Sequence, residues 1–401
     1  MAEQSFPYII VGGGLAGASA VRGIRERDAR GGILLLAQER HLPYDRPPLS
    51  KKLWFGQKTV EQIFVKDREF YEANGVTLVQ GARAVSLDTG RRVVTDDRGG
   101  AYRYEKLLLA TGGTPRRLPV PGADLPGIYY YRTLDDYLSL KDKAAAGRSA
   151  VVLGGGFIGS EIDAALSHHR VAVTMLFPDP FVCSRVLIEP LAREIERRYG
   201  QRGIRILSGD KPTAVEKAGD SFRVMTGTGK TLEADLVVAG LGITPETQLA
   251  ETAGLATGNG IVVDQYLRAS DPDVFAAGDN AYFPYQALGL RTRVEHWDNA
   301  LNQGLRAGRN MAGANEPYTY MPYFFSDLFE FGYEAVGDVD ANLETFADWT
   351  KENDTGVVYY LRDGRLRGAM MCNVWDKVET ARRLIQREGR IKAEDLRGAI
   401  R

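Results

Sequence analysis

Two stretches of this chain carry the same pattern. "YIIVGGGLAGASAVRGI" (8–24) and "SAVVLGGGFIGSEIDAAL" (149–166) each run from a short apolar, β-rich segment into G-x-G-x-x-G and then into helix-compatible residues with small side chains early. The pattern predicts a strand, a tight turn and a helix, twice, with first glycines at Gly12 and Gly154. The first glycine permits the turn, the second lets backbone approach a pyrophosphate, and the third lets helix and strand pack closely. The helix N-terminus then offers unpaired N–H groups and the positive end of its dipole. A single copy could be a glycine-rich turn with no ligand in a chain holding 45 glycines, but two copies in this context point to two dinucleotide-binding units. At 401 residues the chain divides into two or three domains, and the fold class expected is α/β.

An acidic residue about 20 positions after such a motif binds a ribose hydroxyl. Glu39 follows the strand "GILLLAQER" and Asp179 follows "VAVTMLF", although Phe177 stands at the second strand's end where an acid is more familiar. Arg185 lies nearby and could meet a 2′-phosphate; the counts favour a free ribose hydroxyl, hence NADH over NADPH.

"KLLLATGGTPRRLPVPG" (106–122) and "DLVVAGLGITPET" (235–247) are apolar runs stopping at Gly and Pro, as where a chain crosses between domains. "RRVVTDDRGGAYRY" (91–104) reads as a hairpin turning at Asp97-Arg98-Gly99-Gly100. "DPDVFAAGDNAYF" (271–283) is a strand ending at Gly278-Asp279, whose carboxylate suits a ribityl or ribose hydroxyl or the cap of a helix starting near Asn280. From Met321 onward, "YFFSDLFEFGYEAVG", "GVVYYLRDGRLRGAMMCNVW" and "KVETARRLIQREG" predict an antiparallel sheet with a terminal helix.

Lys+Arg 51 against Asp+Glu 52 gives no basic balance that would suggest nucleic acid or an anionic membrane surface. Only two cysteines occur, Cys183 and Cys372, with no C-x-x-C pair, which argues against a disulfide scaffold or thiolate metal cluster and fits a reducing compartment. The first strand begins too early for a signal peptide, and no apolar run reaches the roughly 20 residues of a membrane span. The location expected is cytoplasmic. His168-His169, adjacent on a helix, would point apart and suit a solvated face rather than a metal; Arg382, Arg383 and Arg387 make the last helix basic, a solvated face or a dock for an acidic protein.

Taken together, the two glycine motifs, "YDRPPLSK", "LLATGGTPR", "VFAAGD" and "VEHWDNA" resemble the FAD-dependent pyridine-nucleotide reductases, in particular single-flavin ferredoxin reductases and apoptosis-inducing factor, over nearly the whole chain. The resemblance implies a glutathione-reductase-like fold: an FAD domain (1–120 and 246–320) split by an NAD(P)H domain (121–245), then a C-terminal α+β domain (321–401). It places Gly12, Gly14, Ala16 and Gly17 at the FAD pyrophosphate and Glu39 at the adenosine ribose. Arg46 and Lys51 fall on the flavin side, Thr111 and Gly112 near the cofactor, Arg132 between the nucleotides, Asp279 near the ribityl chain, and His296 and Trp297 beside the isoalloxazine. For NAD(P)H it implicates Gly156, Phe157, Ile158, Gly159, Asp179, Arg185 and Gly242, with Glu295, Phe325, Glu334 and Asn373 lining the nicotinamide pocket. Core packing is the commoner role for aromatics such as Trp297 and Phe325.

Lys51 and Glu161 are implied by the resemblance to meet near flavin N5, with Trp297 the third catalytic candidate. Taken singly they read as a solvated lysine and a surface acid in a first helical turn. As a pair, the carboxylate would offset the cost of burying the ammonium, and the cation would favour negative charge on the reduced ring and raise its potential. The prolines of "PYDRPPLSKKLW" (43–54) would restrict the backbone leading into a helix that carries Lys51. With Ser50-Lys51 where disulfide-linked relatives have a thiol, the function implied is NADH-dependent reduction of FAD. Electrons then leave singly for a [2Fe–2S] ferredoxin or another small acceptor. The rivals are a monodehydroascorbate or quinone reductase and an apoptosis-inducing-factor-like redox sensor.

Overall fold

Each glycine motif follows the C-terminal end of an inner strand of its own sheet, Gln4–Val11 in one and Ser149–Leu153 in the other. The structure, a computed structural model, describes residues 3–387 and 389–401. The chain divides into two compact units: 1–45, 60–114 and 244–322 in the first, and 46–59, 115–243 and 323–401 in the second.

In the first unit the strands Val76–Gln80, Ile33–Ala37, Gln4–Val11 and Ala101–Leu109 lie parallel in that order, and Val274–Ala276 pairs with the far end of Ala101–Leu109. "ILLLA" is buried at every position, the continuous apolar run of a strand covered on both faces. The hairpin expected over 91–104 forms, with Val93–Asp96 antiparallel to Ala101–Leu109 and Gly99 at φ 81°. Helix Leu15–Arg25 packs on helix Trp297–Met311 at backbone distance: a Cβ on Gly304 or Gly308 would lie 2.2 Å from the carbonyl oxygens of Ala16 and Ala20. The i, i+4 glycines thus let the second helix brace the first just behind the phosphate turn. No helix begins at Asn280; the residue leads directly into strand Ala281–Tyr285, so Asp279 is not a helix cap.

The second unit repeats the parallel arrangement with Arg205–Ser208, Ala172–Phe177, Ser149–Leu153, Leu236–Ala239 and Ile128–Tyr130. A three-stranded antiparallel sheet, Pro212–Ala218, Ser221–Thr226 and Thr231–Ala234, shares one apolar core with it through Val151, Leu153 and Val237 against Val215, Phe222 and Val224. The antiparallel sheet expected after Met321 has the order Tyr323–Leu328, Phe331–Gly337, Arg365–Cys372, Thr355–Arg362, Glu344–Lys351, followed by helix Val378–Ile385. Tyr360 Oη donates to the Val186 carbonyl at 2.6 Å, and Asp354 pairs at 2.5 Å with Arg198 of helix Glu189–Gln201, so part-buried polar contacts tie this sheet to the loop and helix that follow strand Ala172–Phe177. Among the described residues no helix is long and apolar enough to cross a membrane.

Candidate functional site

The first phosphate turn is built from backbone that tolerates no side chain. Gly12 sits at φ +129°, where a Cβ would lie 2.1 Å from the Ala110 carbonyl oxygen, and a Cβ on Gly17 would lie 2.1 Å from that of Gly12. Gly14 differs: nothing lies within 4 Å of its Cβ position, and it is the N-cap of helix Leu15–Arg25 with no side-chain cap bond. Open space beside uncapped N–H groups is the donor set that a pyrophosphate needs, so these residues fit the dinucleotide. Beyond the next strand, the Glu39 carboxylate accepts a hydrogen bond from Tyr44 Oη, which orients it.

The rest of the first unit's candidates gather at two chain crossings. Thr111 Oγ1 donates to the Glu246 carbonyl at 2.8 Å, and Gly112, at φ +67°, accepts from the Glu246 N–H at 2.9 Å. Asn280, fully buried, donates to the Leu109 carbonyl at 3.1 Å and to Thr111 Oγ1 at 2.9 Å. Gln303, also fully buried, accepts from the Gly278 N–H at 2.9 Å. The Gly278-Asp279 turn is therefore gripped by two buried amides, and each leaves one buried atom, Asn280 Oδ1 and Gln303 Nε2, without a partner among the described residues. Neither amide was singled out from sequence; a polar residue inside "VFAAGDN" and "NALNQG" was the available signal.

Desolvation lowers the His296 imidazole to about 4, with Asp279 only partly opposing, so the ring is neutral at pH 7. Trp297 opens its helix with the indole N–H donated to Asp45 at 2.6 Å, which fixes the ring plane. Glu295, exposed, pairs with Arg293, whose guanidinium also donates to the Asp279 carbonyl.

The second unit holds Lys51 and Glu161 together. Their Nζ–Oε1 separation is 2.9 Å, and they are 8% and 4% exposed, which removes the solvated reading of each. Where a helix carrying Lys51 was expected, the structure has a single 3₁₀ turn, Pro47–Ser50, and Lys51 ends it at φ −132°. That turn is stitched down by Arg46 donating to the Arg132 carbonyl at 2.7 Å, by Tyr131 Oη on the Leu49 carbonyl, and by Trp54 Nε1 on the same carbonyl at 2.7 Å. Phe325 offers its ring face to the Lys51 ammonium at 4.8 Å. Glu161 also accepts from Ser50 Oγ at 2.5 Å and from Ser326 Oγ at 2.6 Å, two partners that sequence reading did not assign.

The second phosphate turn matches the first. Gly154 stands at φ +117°, a Cβ on Gly159 would lie 1.9 Å from the Gly154 carbonyl oxygen, and Gly156 is an uncapped N-cap beside open space. Phe157 packs toward Phe324, with ring centroids 5.7 Å apart, while Ile158 is 39% exposed. Phe177 is fully buried under Gly155. Asp179 and Arg185 are exposed, and each binds neighbouring chain through its backbone carbonyl, Asp179 to Gly209 and Arg185 to Ala341. Gly242, at φ +80°, accepts from the Arg116 N–H at 3.0 Å.

Glu334 faces Phe325 across the strand pair; burial first, then Asp376, raises its carboxyl above the usual range, and Oε2 is buried without a partner among the described residues. Asn373, at φ +48°, uses its amide on backbone: Oδ1 accepts from Gly332 N–H at 2.9 Å and Nδ2 donates to the Asp354 carbonyl at 3.2 Å. Half-buried His169 packs on Trp54 at 5.5 Å and His168 on Phe55 at 4.8 Å, so this pair serves packing rather than a purely solvated face. Arg382 pairs with Glu379 and Arg383 bonds Thr380 on the terminal helix. Both thiols are free and buried; desolvation pushes Cys183 up to about 12 and Cys372 higher still, so neither is a thiolate at neutral pH.

Comparison with known proteins follows the same lines. Residues 6–304 match the pyridine nucleotide-disulphide oxidoreductase family, and residues 307–355 match the C-terminal domain of mitochondrion-associated apoptosis-inducing factor. The chain is 36% identical over 321 residues to a rubredoxin-NAD(+) reductase of Pseudomonas putida, covering 80% of this chain and 83% of that protein. It is 33% identical over 380 residues to the ferredoxin–NAD(+) reductase component of the anthranilate 1,2-dioxygenase system of Burkholderia cepacia, covering 94% of each. Among solved structures, the covalent putidaredoxin reductase–putidaredoxin complex superposes with a TM-score of 0.90 at 31% identity, over 96% of this chain and 93% of that one.

Proposed function

Because the chain belongs to the pyridine nucleotide-disulphide oxidoreductase family, we propose that it is an FAD-containing reductase that takes hydride from NADH and passes electrons singly to a small iron–sulfur protein of ferredoxin type. Bound FAD supplies the step from a two-electron donor to a one-electron acceptor. In this reading Gly12, Gly14, Ala16 and Gly17 cradle its pyrophosphate, Glu39 takes the adenosine ribose, and Asp279 takes the ribityl chain. Thr111, Gly112, Arg46, Arg132, His296 and Trp297 complete its site. Gly156, Phe157, Ile158, Gly159, Asp179, Arg185 and Gly242 hold the nicotinamide nucleotide, with Phe325 and Glu334 toward its reactive end. A cytoplasmic location accords with two free, buried thiols.

The observation that carries the reading is the buried Lys51–Glu161 pair at 2.9 Å, at the place along the chain where a thiol relay would need a cysteine. Lys51 puts a fixed cation beside the ring without a reactive group, and the two cysteines are too deeply buried to relay electrons as thiolates. The test is anaerobic stopped-flow: NADH bleaches the flavin, and a [2Fe–2S] ferredoxin then reoxidises it rapidly. Slow bleaching with a lasting long-wavelength band and no transfer to ferredoxin would overturn it. That outcome would favour the second reading, an NADH-responsive sensor, which has the match of residues 307–355 in its support.

A further inference from the structure

Glu161 is held by more than its lysine. Ser50 Oγ donates to Oε2 at 2.5 Å, while Ser326 Oγ donates at 2.6 Å to Oε1, the same oxygen that Lys51 Nζ meets at 2.9 Å. Both serines are buried, at 3% and 1% exposure. They come from separate stretches: Ser50 closes the 3₁₀ turn just before Lys51, and Ser326 lies on the strand Tyr323–Leu328, one residue from the Phe325 ring that meets the ammonium.

The arrangement has an electrostatic consequence. A carboxylate tethered by an ammonium alone turns until both oxygens approach the cation, and the pair's outward field is then largely that of a dipole. Here Ser50 donates to one oxygen, and Ser326 shares the other with Lys51, so part of the negative charge is offset by hydroxyl dipoles. More of the ammonium's field is left to act on its surroundings.

We infer that Ser50 and Ser326 are positioning residues that hold Glu161 away from full neutralisation of Lys51 and so raise the potential of the bound flavin. The inference rests on the proposed placement of Lys51 beside the flavin. No bond is made or broken by either serine; they act through Glu161.

The test uses the FAD-loaded protein and compares Ser50→Ala, Ser326→Ala, the double variant and Ser326→Thr, reading flavin potential against a reference dye of matched potential, with thermal unfolding in parallel. Each alanine variant should lower the reduced-to-oxidised ratio at equilibrium by roughly threefold, the double variant further, and Ser326→Thr, which keeps a hydroxyl on a strand, should restore it. Ser326→Cys, close in shape but a weak donor, gives the same reading should an alanine variant fail to fold, and should fall with the alanines. Unchanged potentials alongside a lowered Tm would show that the serines only satisfy a buried carboxylate and would overturn the inference. Lys51→Ala is the control on the underlying placement: if it too leaves the potential unchanged, Lys51 does not face the flavin and both ideas fall, whereas a drop there with inert serines sinks only this one.

Discussion

The two phosphate turns are nearly the same object, yet the helices that follow them do different things. Gly12 and Gly154 share a left-handed φ and abut a carbonyl from the neighbouring crossing, and both helices start from an uncapped glycine beside open space. After the first turn the helix buries Ala16, Ser19, Ala20 and Gly23 against a glycine-bearing partner helix. After the second, the helix buries Ser160, Glu161 and Asp163. The strands beside them diverge as well: Ala37 lies under Gly13 and leads to Glu39, whereas Phe177 fills the equivalent space under Gly155 and leaves Asp179 exposed. A shared backbone device therefore supports a docking helix in one unit and a charge-bearing helix in the other.

The comparison can be broken most severely at the glycines. Gly12→Ala places a methyl group against backbone at a φ that alanine resists, and should weaken FAD retention by roughly a hundredfold, on the order of 3 kcal/mol, read from the flavin absorbance of the purified protein. Gly154→Ala should instead leave FAD bound and raise the KM for NADH by a similar factor. If both variants lose FAD alike, the assignment of one nucleotide to each turn is wrong.

Next in size is the buried charge that only the second helix carries. Lys51→Ala leaves Glu161 buried with two hydroxyls and no cation, which should cost about 3 kcal/mol in denaturant unfolding and lower the flavin potential.

Asp163 sharpens the contrast from the other side, because its two carboxylate oxygens are buried with no partner among the described residues and desolvation raises its pKa well above the usual range. The folded state then holds a proton that the unfolded chain releases, so stability falls as pH rises from the ordinary carboxylate range toward the folded value. Asp163→Ala should therefore stabilise the protein at neutral pH by about 1–3 kcal/mol, with a gain that shrinks as the pH is taken toward 4. A variant that is less stable at pH 7 would reveal an unseen partner, such as a bound water.

The smallest effect belongs to the ribose acids. Glu39→Gln keeps an acceptor oriented by Tyr44 but loses its charge, and should weaken FAD by about tenfold; Asp179→Asn, exposed, should raise the NADH KM by only about threefold in steady-state assays. Equal effects would mean that Tyr44 contributes nothing by orienting Glu39.

Much of this was legible from spacing. The glycine motifs predicted both strand–turn–helix units, "DDRGG" predicted its hairpin, and the change to alternating aromatic and polar residues after Met321 predicted an antiparallel sheet. The misses are also local in origin. A helix carrying Lys51 was expected after the double proline, but the structure forms only one 3₁₀ turn that ends at Lys51. Capping of a helix near Asn280 stood as the alternative role of Asp279, but strand pairing claimed the segment.

The sequence by itself determined the pieces whose cause is local: glycine at positions where φ is positive or backbone touches backbone, apolar runs where a strand is covered on both faces, and the order of motifs that places the chain in its family. Only the tertiary structure decided which side chains meet. Ser50 and Ser326 reach Glu161 from 111 and 165 residues away, the buried amide of Asn280 finds Thr111 from 169, and that of Gln303 finds Gly278 from 25. A hydroxyl or an amide has no periodic signature, because its partner is set by strand order and helix packing, and those emerge only when the sheets have assembled.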